Sequence, residues 1–243
     1  MDWKTFFESY RLVPIETDAD LLYQVGATVG GKPISARQFA ALLDDCRSAL
    51  QLRSSDALVD LCAGNGVITY ELSGQVDCAI GVDFSQPYIE NARKHKARPN
   101  LQYVVHDIAE LENCDALTAF RAPSRILCYA ALAYLTPAQV ERMIEYAGAH
   151  GTADVRFFIG SILDKERIWH FFNTWRRKLN YLLRVRLLRR DFGLGRWWSK
   201  SEIAEMADRH GFSCEFPAQN ATLHTAHYRF DVLLRRSSQS AQA

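Results

Sequence analysis

A glycine-containing turn between an apolar run and a helical pattern is the feature that most constrains the fold of this chain. The run Ala57–Leu61 leads into Cys62-Ala-Gly-Asn-Gly66, and a helical pattern begins at Val67. A strand that feeds a glycine-rich loop at the start of a helix is how α/β folds build a nucleotide pocket. Glycine lets the backbone approach a ligand closely, and the helix start offers unpaired N–H groups. We therefore predict an α/β fold with a ligand site at this turn.

Three acids occur at or near the ends of successive strand-like runs: Asp60, Asp83 and Asp107. The carboxyl ends of parallel strands meet at one edge of a sheet, so we expect the three carboxylates to lie together. Such a set suits a ligand with an amino group, a ribose diol and an adenine amine. A dinucleotide fingerprint has a third small residue where this chain has Thr69, which disfavours a nicotinamide cofactor.

The motifs around these acids resemble those of the class I S-adenosylmethionine-dependent methyltransferases, from about Asp56 to about Arg235. The resemblance implies methyl transfer with S-adenosyl-L-methionine as cofactor. It also implies a Rossmann-like α/β fold. That fold has a mainly parallel seven-stranded sheet with an antiparallel last strand and helices on both faces. We also expect a helical insertion between strands five and six.

The resemblance further assigns parts of the cofactor to particular residues. Asp60 and the loop Cys62–Gly66 would hold the methionine part, and Asp83 would accept hydrogen bonds from the ribose hydroxyls. Asp107 would accept one from the adenine amine. Cys62 stands where the family often has Gly. No metal is expected, and the predicted cofactor-binding residues are Asp60, Leu61, Cys62, Ala63, Gly64, Gly66, Asp83, Phe84, His106, Asp107, Ile108 and Tyr129.

Composition places the chain among globular proteins. Its 243 residues are long enough for one sizeable core, and 48% of them are hydrophobic. A membrane span is not expected because there is no uninterrupted apolar run of about 18 residues. The first residues do not resemble a signal peptide, and the six cysteines form no C-x-x-C pair, so we expect reduced thiols and a cytoplasmic location. The net charge of +1 gives no general attraction to nucleic acid.

The alternation of apolar runs and helical patterns predicts the domain organisation. We expect an N-terminal helical cap over 1–51, a methyltransferase domain over 52–236 with a lid insertion over about 163–198, and a disordered tail over 237–243. A helix over Ala36–Leu50 with Ser35 as N-cap belongs to the cap, and Val25–Pro33 is predicted as a glycine-rich loop. The predicted strands lie near 57–62, 78–83, 101–106, 125–129, 155–161, 213–216 and 226–234.

The predicted insertion is aromatic and strongly basic. Three interpretations are open. It could be a helical lid with solvated arginines, it could supply arginines to a phosphate- or carboxylate-bearing substrate, or it could contact an anionic membrane surface or nucleic acid. Its aromatic and basic residues are Lys165, Arg167, Trp169, His170, Phe171, Phe172, Trp175, Arg176, Arg177, Lys178, Tyr181, Arg184, Arg186, Arg189 and Arg190; among its acids is Asp191.

Residues near the start of the last predicted strand are the candidates for catalysis, because an antiparallel strand begins at the ligand edge. A hydroxyl acceptor benefits from a general base, most often His, so His227 and His224 are predicted as catalytic residues. His106 would point to the opposite face of its strand and is the poorer base. In the simpler alternative, Arg229 pairs with Asp231 and His227 is a hydrogen-bonded edge residue.

The first functional hypothesis is methyl transfer to a small-molecule or glycan acceptor, at oxygen. Nucleic acid is disfavoured because the family's amino-methylating nucleic acid enzymes carry Asn/Asp-Pro-Pro-Tyr/Phe where this chain has Cys128-Tyr129-Ala-Ala-Leu132. The basic insertion favours an anionic acceptor such as an acidic sugar. The predicted acceptor-binding residues are Tyr23, Lys32, Tyr134 and Arg229.

Two other functional classes compete with this hypothesis. A non-catalytic binding module could retain the cofactor fold, but it would have no physical need for the complete set of acids and glycines. A nicotinamide oxidoreductase is disfavoured by Thr69 and by the extra acid Asp107.

Overall fold

A seven-stranded sheet is the centre of the protein in a computed structural model that describes residues 3–10, 12–183 and 194–237. A two-stranded hairpin accompanies it. The hairpin consists of β1 (Thr28–Val29) and β2 (Lys32–Pro33), and the sheet of β3 (Ala57–Leu61), β4 (Cys78–Asp83), β5 (Leu101–Val105), β6 (Arg125–Tyr129), β7 (Arg156–Leu163), β8 (Phe212–Glu215) and β9 (Arg229–Arg236).

The sheet order is β5-β4-β3-β6-β7-β9-β8. Strands β3 to β7 pair in parallel, whereas β9 is antiparallel to both β7 and β8. This confirms the predicted sheet with its antiparallel last strand. The chain order reverses between β3 and β6, and ligands of open α/β sheets bind at the carboxyl ends of strands beside such a reversal.

Helices cover both faces of this sheet. Side chains cap several of them: Ser35, the predicted N-cap, accepts from the backbone N–H of Gln38, and Thr136 forms a capping box with Gln139. The helices are α1 (Trp3–Ser9), α2 (Asp18–Gln24), α3 (Ala36–Leu50), α4 (Val67–Ser73), α5 (Gln86–His95), α6 (Asp115–Thr118), α7 (Pro137–His150), α8 (Ile168–Phe171), α9 (Trp175–Leu182) and α10 (Lys200–Arg209).

Two apolar cores lie on opposite faces of the sheet. On one face, Met143 of α7 and Ile203 of α10 pack against the strands. On the other, Leu42 of α3, Leu72 of α4 and Ile89 of α5 do so. Burial on both faces explains why β3 and β6 read as nearly continuous apolar runs rather than as alternating ones.

Several boundaries differ from the predicted ones. The predicted loop before α3 contains the β1–β2 hairpin. The last strand begins at Arg229 rather than at Ala226, because the carbonyl of Thr225 accepts from the N–H groups of Tyr228 and Arg229 and holds them in a turn. Strand β7 continues to Leu163 across an irregularity in its pairing with β9.

The segment between β7 and β8 contains α8 and α9, which confirms the helical insertion. The predicted insertion residues Arg184, Arg186, Arg189, Arg190 and Asp191 lie outside the described residues, as do 238–243 of the predicted tail. Within the described ranges, no helix is both long enough and apolar enough to cross a membrane.

Candidate active site

A cavity of about 350 Å³ opens at the carboxyl edge of the sheet, beside the reversal between β3 and β6. Its size lies in the range of about 300–1,000 Å³ that is typical of small-molecule sites. It brings together most of the residues singled out from the sequence. Those that line it are Asp60, Cys62, Ala63, Gly64, Asp83, Phe84, Asp107, Ile108, Tyr129, Tyr134, His224 and Arg229.

The glycine turn positions Asp83 at the cavity wall. The backbone N–H of Gly64 donates to Asp83 Oδ2 at 2.8 Å, and the N–H of Ser85 donates to Asp83 Oδ1 at 2.9 Å. Gly66 caps α4 with a φ of +74°. Its missing Cβ leaves room for the ring of Tyr103, whose hydroxyl donates to the Gly66 carbonyl. The turn therefore needs glycine for backbone geometry and for packing.

Gly66→Ala is expected to lower the free energy of unfolding by about 2 kcal/mol more than the matched Gly31→Ala. Both glycines have a left-handed φ, +74° and +80°, so both alanines carry similar backbone strain. The space around Gly31 is open, whereas a Cβ at Gly66 would overlap the Tyr103 ring. Chemical denaturation of the two variants measures the difference, and equal losses would contradict the packing argument.

Two carboxylates of the cavity have unusual proton affinities. Burial raises the pKa of Asp83 to about 6, against the opposing hydrogen bonds from Ser85 and Gly64. Burial also raises the pKa of Asp60 to about 7, although Thr69 Oγ1 donates to Asp60 Oδ2 at 2.6 Å. Strong shifts caused by burial in a cleft are typical of functional sites.

Asp107 completes the set of carboxylates. Its Oδ1 accepts from the backbone N–H of Ala109 at 2.9 Å, and its Oδ2 lies 3.2 Å from Lys4 Nζ. This carboxylate therefore accepts a hydrogen bond from a nitrogen donor beside the cavity. An adenine amine, which the family resemblance assigns to Asp107, would make the same kind of contact.

Residues of α1 and Tyr10 just after it, which were not among the predicted site residues, cover the cavity. Trp3, Lys4, Phe7 and Tyr10 line it. The rings of Trp3 and Phe7 lie 4.7 and 4.8 Å from that of Tyr134, centroid to centroid. A signal for this role existed, because Trp3, Phe7 and Tyr10 share one helical face. Helix α3 also contributes, through Gln38, Phe39 and Leu42.

Comparison with known proteins identifies this arrangement. Residues 58–150 match the methyltransferase domain family, and this stretch contains the glycine turn and the three acids. This stretch is therefore similar to a methyltransferase domain. No curated protein matches the sequence.

Solved methyltransferase structures are similar in fold over most of this chain. Magnesium protoporphyrin IX methyltransferase (ChlM) from Synechocystis PCC 6803, with bound SAH, superposes with a TM-score of 0.61 at 15% identity, covering 97% of this chain and 98% of that one. The DhpI–SAH complex gives 0.60 at 16% identity, covering 97% and 95%. The methyltransferase in complex with the Trm112 activator from Haloferax volcanii gives 0.64 at 13% identity, covering 95% and 97%. At these identities the likeness concerns the fold.

Strained backbone is concentrated at this cavity. Cys62 after β3, Ala130 after β6 and Ser161 in β7 have left-handed φ angles of +66°, +57° and +62°, and all three line the cavity. Each such non-glycine residue costs about 1–3 kcal/mol and persists only where its surroundings hold it. The φ of Cys62 also explains why a glycine would suit that position.

Ser161 is held from two sides by charged residues of β9. Arg229 Nη1 donates to the Ser161 carbonyl at 2.9 Å, and Asp231 Oδ1 accepts from the Ser161 N–H at 2.6 Å. Asp231 also accepts from Gln219 Nε2 at 2.6 Å. The simpler alternative was an Arg229–Asp231 ion pair. No salt bridge between the two is found in the described part of the chain, although the charge of Arg229 opposes the rise in the pKa of Asp231 that burial causes. Both residues instead fix the strained peptide.

The two predicted catalytic histidines lie in different places. His224 is half-buried and lines the cavity. Its burial, together with the nearby charges of Arg229 and His227, holds its pKa below the usual value of histidine. His227 is exposed and does not line the cavity, and its carbonyl accepts from His170 Nδ1 at 3.0 Å. Of the two predicted histidines, His224 is therefore the one that borders the cavity.

The structure also places five other predicted site residues away from the cavity lining. Leu61 is buried in the sheet core, and Gly66 supports the turn from behind. His106 contacts the Glu110 carbonyl through Nε2, at 2.6 Å. The remaining two, of the predicted acceptor set, are Tyr23 at the end of α2 and the exposed Lys32 in the hairpin.

Proposed function

We propose that the protein transfers a methyl group from S-adenosyl-L-methionine to an oxygen atom of a small-molecule or glycan acceptor. One observation carries the proposal: a single cavity combines three carboxylates, Asp60, Asp83 and Asp107, with the half-buried His224. The carboxylates suit the cofactor, and the histidine suits a hydroxyl group that must lose a proton.

The cofactor assignment follows the donors and acceptors of the cavity. Asp83 would bind the ribose hydroxyls, Asp107 the adenine amine, and Asp60 with the Cys62–Gly66 turn the methionine part. When bound, the cofactor supplies a methyl carbon activated by a positively charged sulfur. The protein then has to orient the acceptor, and positioning alone contributes about 7–11 kcal/mol in well-ordered reactions.

His224 is the proposed general base. Its lowered pKa keeps the imidazole neutral at neutral pH, which is the protonation state that a base needs. It would take the proton that a hydroxyl acceptor loses as the oxygen–carbon bond forms.

Arg229 supports an anionic acceptor such as an acidic sugar. Its Nη1 is occupied by Ser161, but its buried Nε has no hydrogen-bond partner in the described part of the chain. A guanidinium at a cavity wall binds carboxylates well, through charge and directed donors. Tyr134, at the opposite wall against α1, would border the same acceptor. The cytoplasmic location, and an acceptor other than nucleic acid, remain predictions from the sequence.

His224→Asn is expected to reduce kcat for a hydroxyl acceptor roughly 100-fold, the low end for a general base because the sulfonium already activates the methyl carbon. The Michaelis constant of the cofactor should not change. Because the pKa of His224 is lowered, wild-type activity should persist at mildly acidic pH values at which an ordinary histidine is already protonated. Steady-state rates across pH, with His227→Asn as the matched control, measure this. Equal losses in both variants would contradict the role of His224.

Calorimetric titration with S-adenosylmethionine, S-adenosylhomocysteine and NAD tests the cofactor part of the proposal. We expect binding of both adenosyl compounds and none of NAD. A second assay follows the release of S-adenosylhomocysteine with paired acceptors, an acidic sugar and its neutral analogue. Cofactor binding without turnover of any acceptor would favour the non-catalytic binding module, and no adenosyl binding to folded protein would refute the proposal.

A further inference from the structure

Helix α9 turns its apolar side towards solvent. The side chain of Trp175 is 70% exposed and that of Leu179 is 48% exposed, and Leu182 and Leu183 are exposed as well. Their positions i, i+4, i+7 and i+8 fall on one face of the helix. A surface helix normally buries such a face, but among the described residues nothing covers this one.

The opposite side of α9 attaches the helix to the protein. Tyr181 is the one half-buried residue of the helix, and its ring lies 4.5 Å from that of the buried Phe172 and 5.8 Å from that of Trp169. The helix is therefore fixed by an aromatic contact on one side. This leaves Trp175 and Leu179 pointing outwards on the other.

Cations border the exposed apolar face. In helical projection Arg176 and Lys178 lie on either side of it, and Arg177 lies behind. The Arg176 guanidinium lies 5.5 Å from the Trp175 ring centroid, and Lys178 Nζ lies 5.9 Å from that of Trp169. The sequence of α9, WRRKLNYL, contains no acid.

We propose that α9 docks on the surface of a membrane that contains anionic phospholipids. Its apolar face would enter the boundary between headgroups and acyl chains, while Arg176 and Lys178 would extend to the lipid phosphates. A row of leucines beside Trp175 favours a bilayer over nucleic acid, because single-stranded nucleic acid is bound by aromatic stacking and cations without need of exposed leucines. The proposal concerns a surface separate from the cavity and does not rest on the proposed methyl transfer.

The short helix α8, which precedes α9 in the chain, contacts one wall of the cavity. His170 of α8 contacts the His227 carbonyl at 3.0 Å, and the rings of Phe171 and Tyr228 lie 5.0 Å apart. Tyr228 lines the cavity. The short helix before α9 is thus in contact with the segment that carries Tyr228 and His224.

Co-sedimentation of the full chain with vesicles tests the charge component. Vesicles of phosphatidylcholine alone are compared with vesicles that also contain phosphatidylglycerol. We expect strong binding to the anionic vesicles only, and weaker binding at higher salt. Arg176→Gln with Lys178→Gln should weaken partitioning roughly 30-fold. The matched control, Arg37→Gln with Lys94→Gln, removes two exposed cations from α3 and α5 and should have little effect.

A second pair of variants tests the apolar component. Trp175→Ala with Leu179→Ala should weaken partitioning roughly tenfold or more, because it removes the largest exposed apolar groups of α9. Leu12→Ala with Val29→Ala removes two exposed apolar side chains elsewhere and should have little effect. Brominated lipids should quench tryptophan emission in the wild type and quench it less in Trp175→Phe.

Several results would overturn the proposal. Equal binding to neutral and anionic vesicles would do so, as would binding that the α9 variants leave unchanged. Binding to single-stranded RNA through the same α9 residues without vesicle binding would assign the surface to nucleic acid instead. Self-association that hides Trp175 would assign it to a second copy of the chain. Cofactor titration of the same variants shows whether the site remains folded.

Discussion

Replacing Asp83 with alanine should weaken the binding of S-adenosylmethionine and S-adenosylhomocysteine about 1,000-fold. Two backbone N–H groups, of Gly64 and Ser85, fix the Asp83 carboxylate at the cavity wall. Hydrogen bonds to a charged group contribute about 1.5–3 kcal/mol each, and a ribose offers two donors. Their loss together corresponds to about three orders of magnitude in the dissociation constant. Calorimetric titration of the variant measures it.

Two further variants separate the ligand contact from the support of the turn. Asp83→Asn keeps one oxygen for a backbone donor and should give an intermediate loss of affinity. Asp208→Asn changes an exposed acid on α10, far along the chain from the turn, and should bind the cofactor as the wild type does. If a folded Asp83→Ala protein bound the cofactor with wild-type affinity, Asp83 would not be a cofactor-binding residue.

The affinity of the wild type should also depend on pH through Asp83. The ribose hydroxyls donate, so they favour the ionised carboxylate. Burial raises the pKa of Asp83 to about 6, and cofactor affinity should therefore fall as the pH drops through that value. Asp83→Asn should lose this part of the pH dependence. If the affinity of Asp83→Asn for the cofactor depended on pH as that of the wild type does, a group other than Asp83 would be responsible for the pH dependence.

The parts of the fold that depend on local pattern were predicted well from the sequence. Strands buried on both faces give apolar runs, and the acids at their ends follow from parallel topology, so Asp60, Asp83 and Asp107 could be expected together. The cover of the cavity could not be expected in this way. The contact of Phe7 with Tyr134 joins residues far apart in sequence, and helical spacing alone shows only that an aromatic face exists.

The placement of His227 shows how a short boundary error alters a site prediction. A strand that began at Ala226 would have turned His227 towards one face of the sheet. The turn closed by the Thr225 carbonyl delays the strand to Arg229 and leaves His227 exposed, with His224 in the cavity instead. This turn also has a contact from a distant part of the chain, because Arg167, just before α8, donates from Nη1 to the Ala226 carbonyl at 3.4 Å. A contact between residues so far apart in the chain cannot be predicted from the local pattern of the sequence.

Replacing Asp60 with asparagine should make the cofactor-free protein more stable at alkaline pH. Burial raises the pKa of Asp60 from 3.8 to about 7, so the folded chain binds this proton more tightly than the unfolded chain does. Stability is therefore lost as the pH rises from about 4 to about 7, and ionisation costs about 4 kcal/mol above that range. Asparagine has no such cost, and its amide oxygen can still accept from Thr69 Oγ1.

Chemical denaturation at two pH values measures this effect. The advantage of Asp60→Asn over the wild type should be about 2 kcal/mol near about pH 5 and about 4 kcal/mol near about pH 8. Asp208→Asn, an exposed position, should show no such growth with pH. A variant that is less stable than the wild type at both pH values would contradict the assignment.

The same variant should bind the cofactor more weakly, because Asp60 would face the positively charged amino group of the methionine part. Removing one partner of a partly desolvated ion pair should cost roughly tenfold or more in affinity. The two measurements together decide the role of this acid. If Asp60 served the fold alone, replacing it would make the protein less stable. If Asp60 serves to bind a ligand, its buried charge destabilises the protein, so replacing it raises the stability and lowers the affinity for the cofactor. Higher stability with lower affinity for both S-adenosylmethionine and S-adenosylhomocysteine would therefore identify Asp60 as a cofactor-binding group.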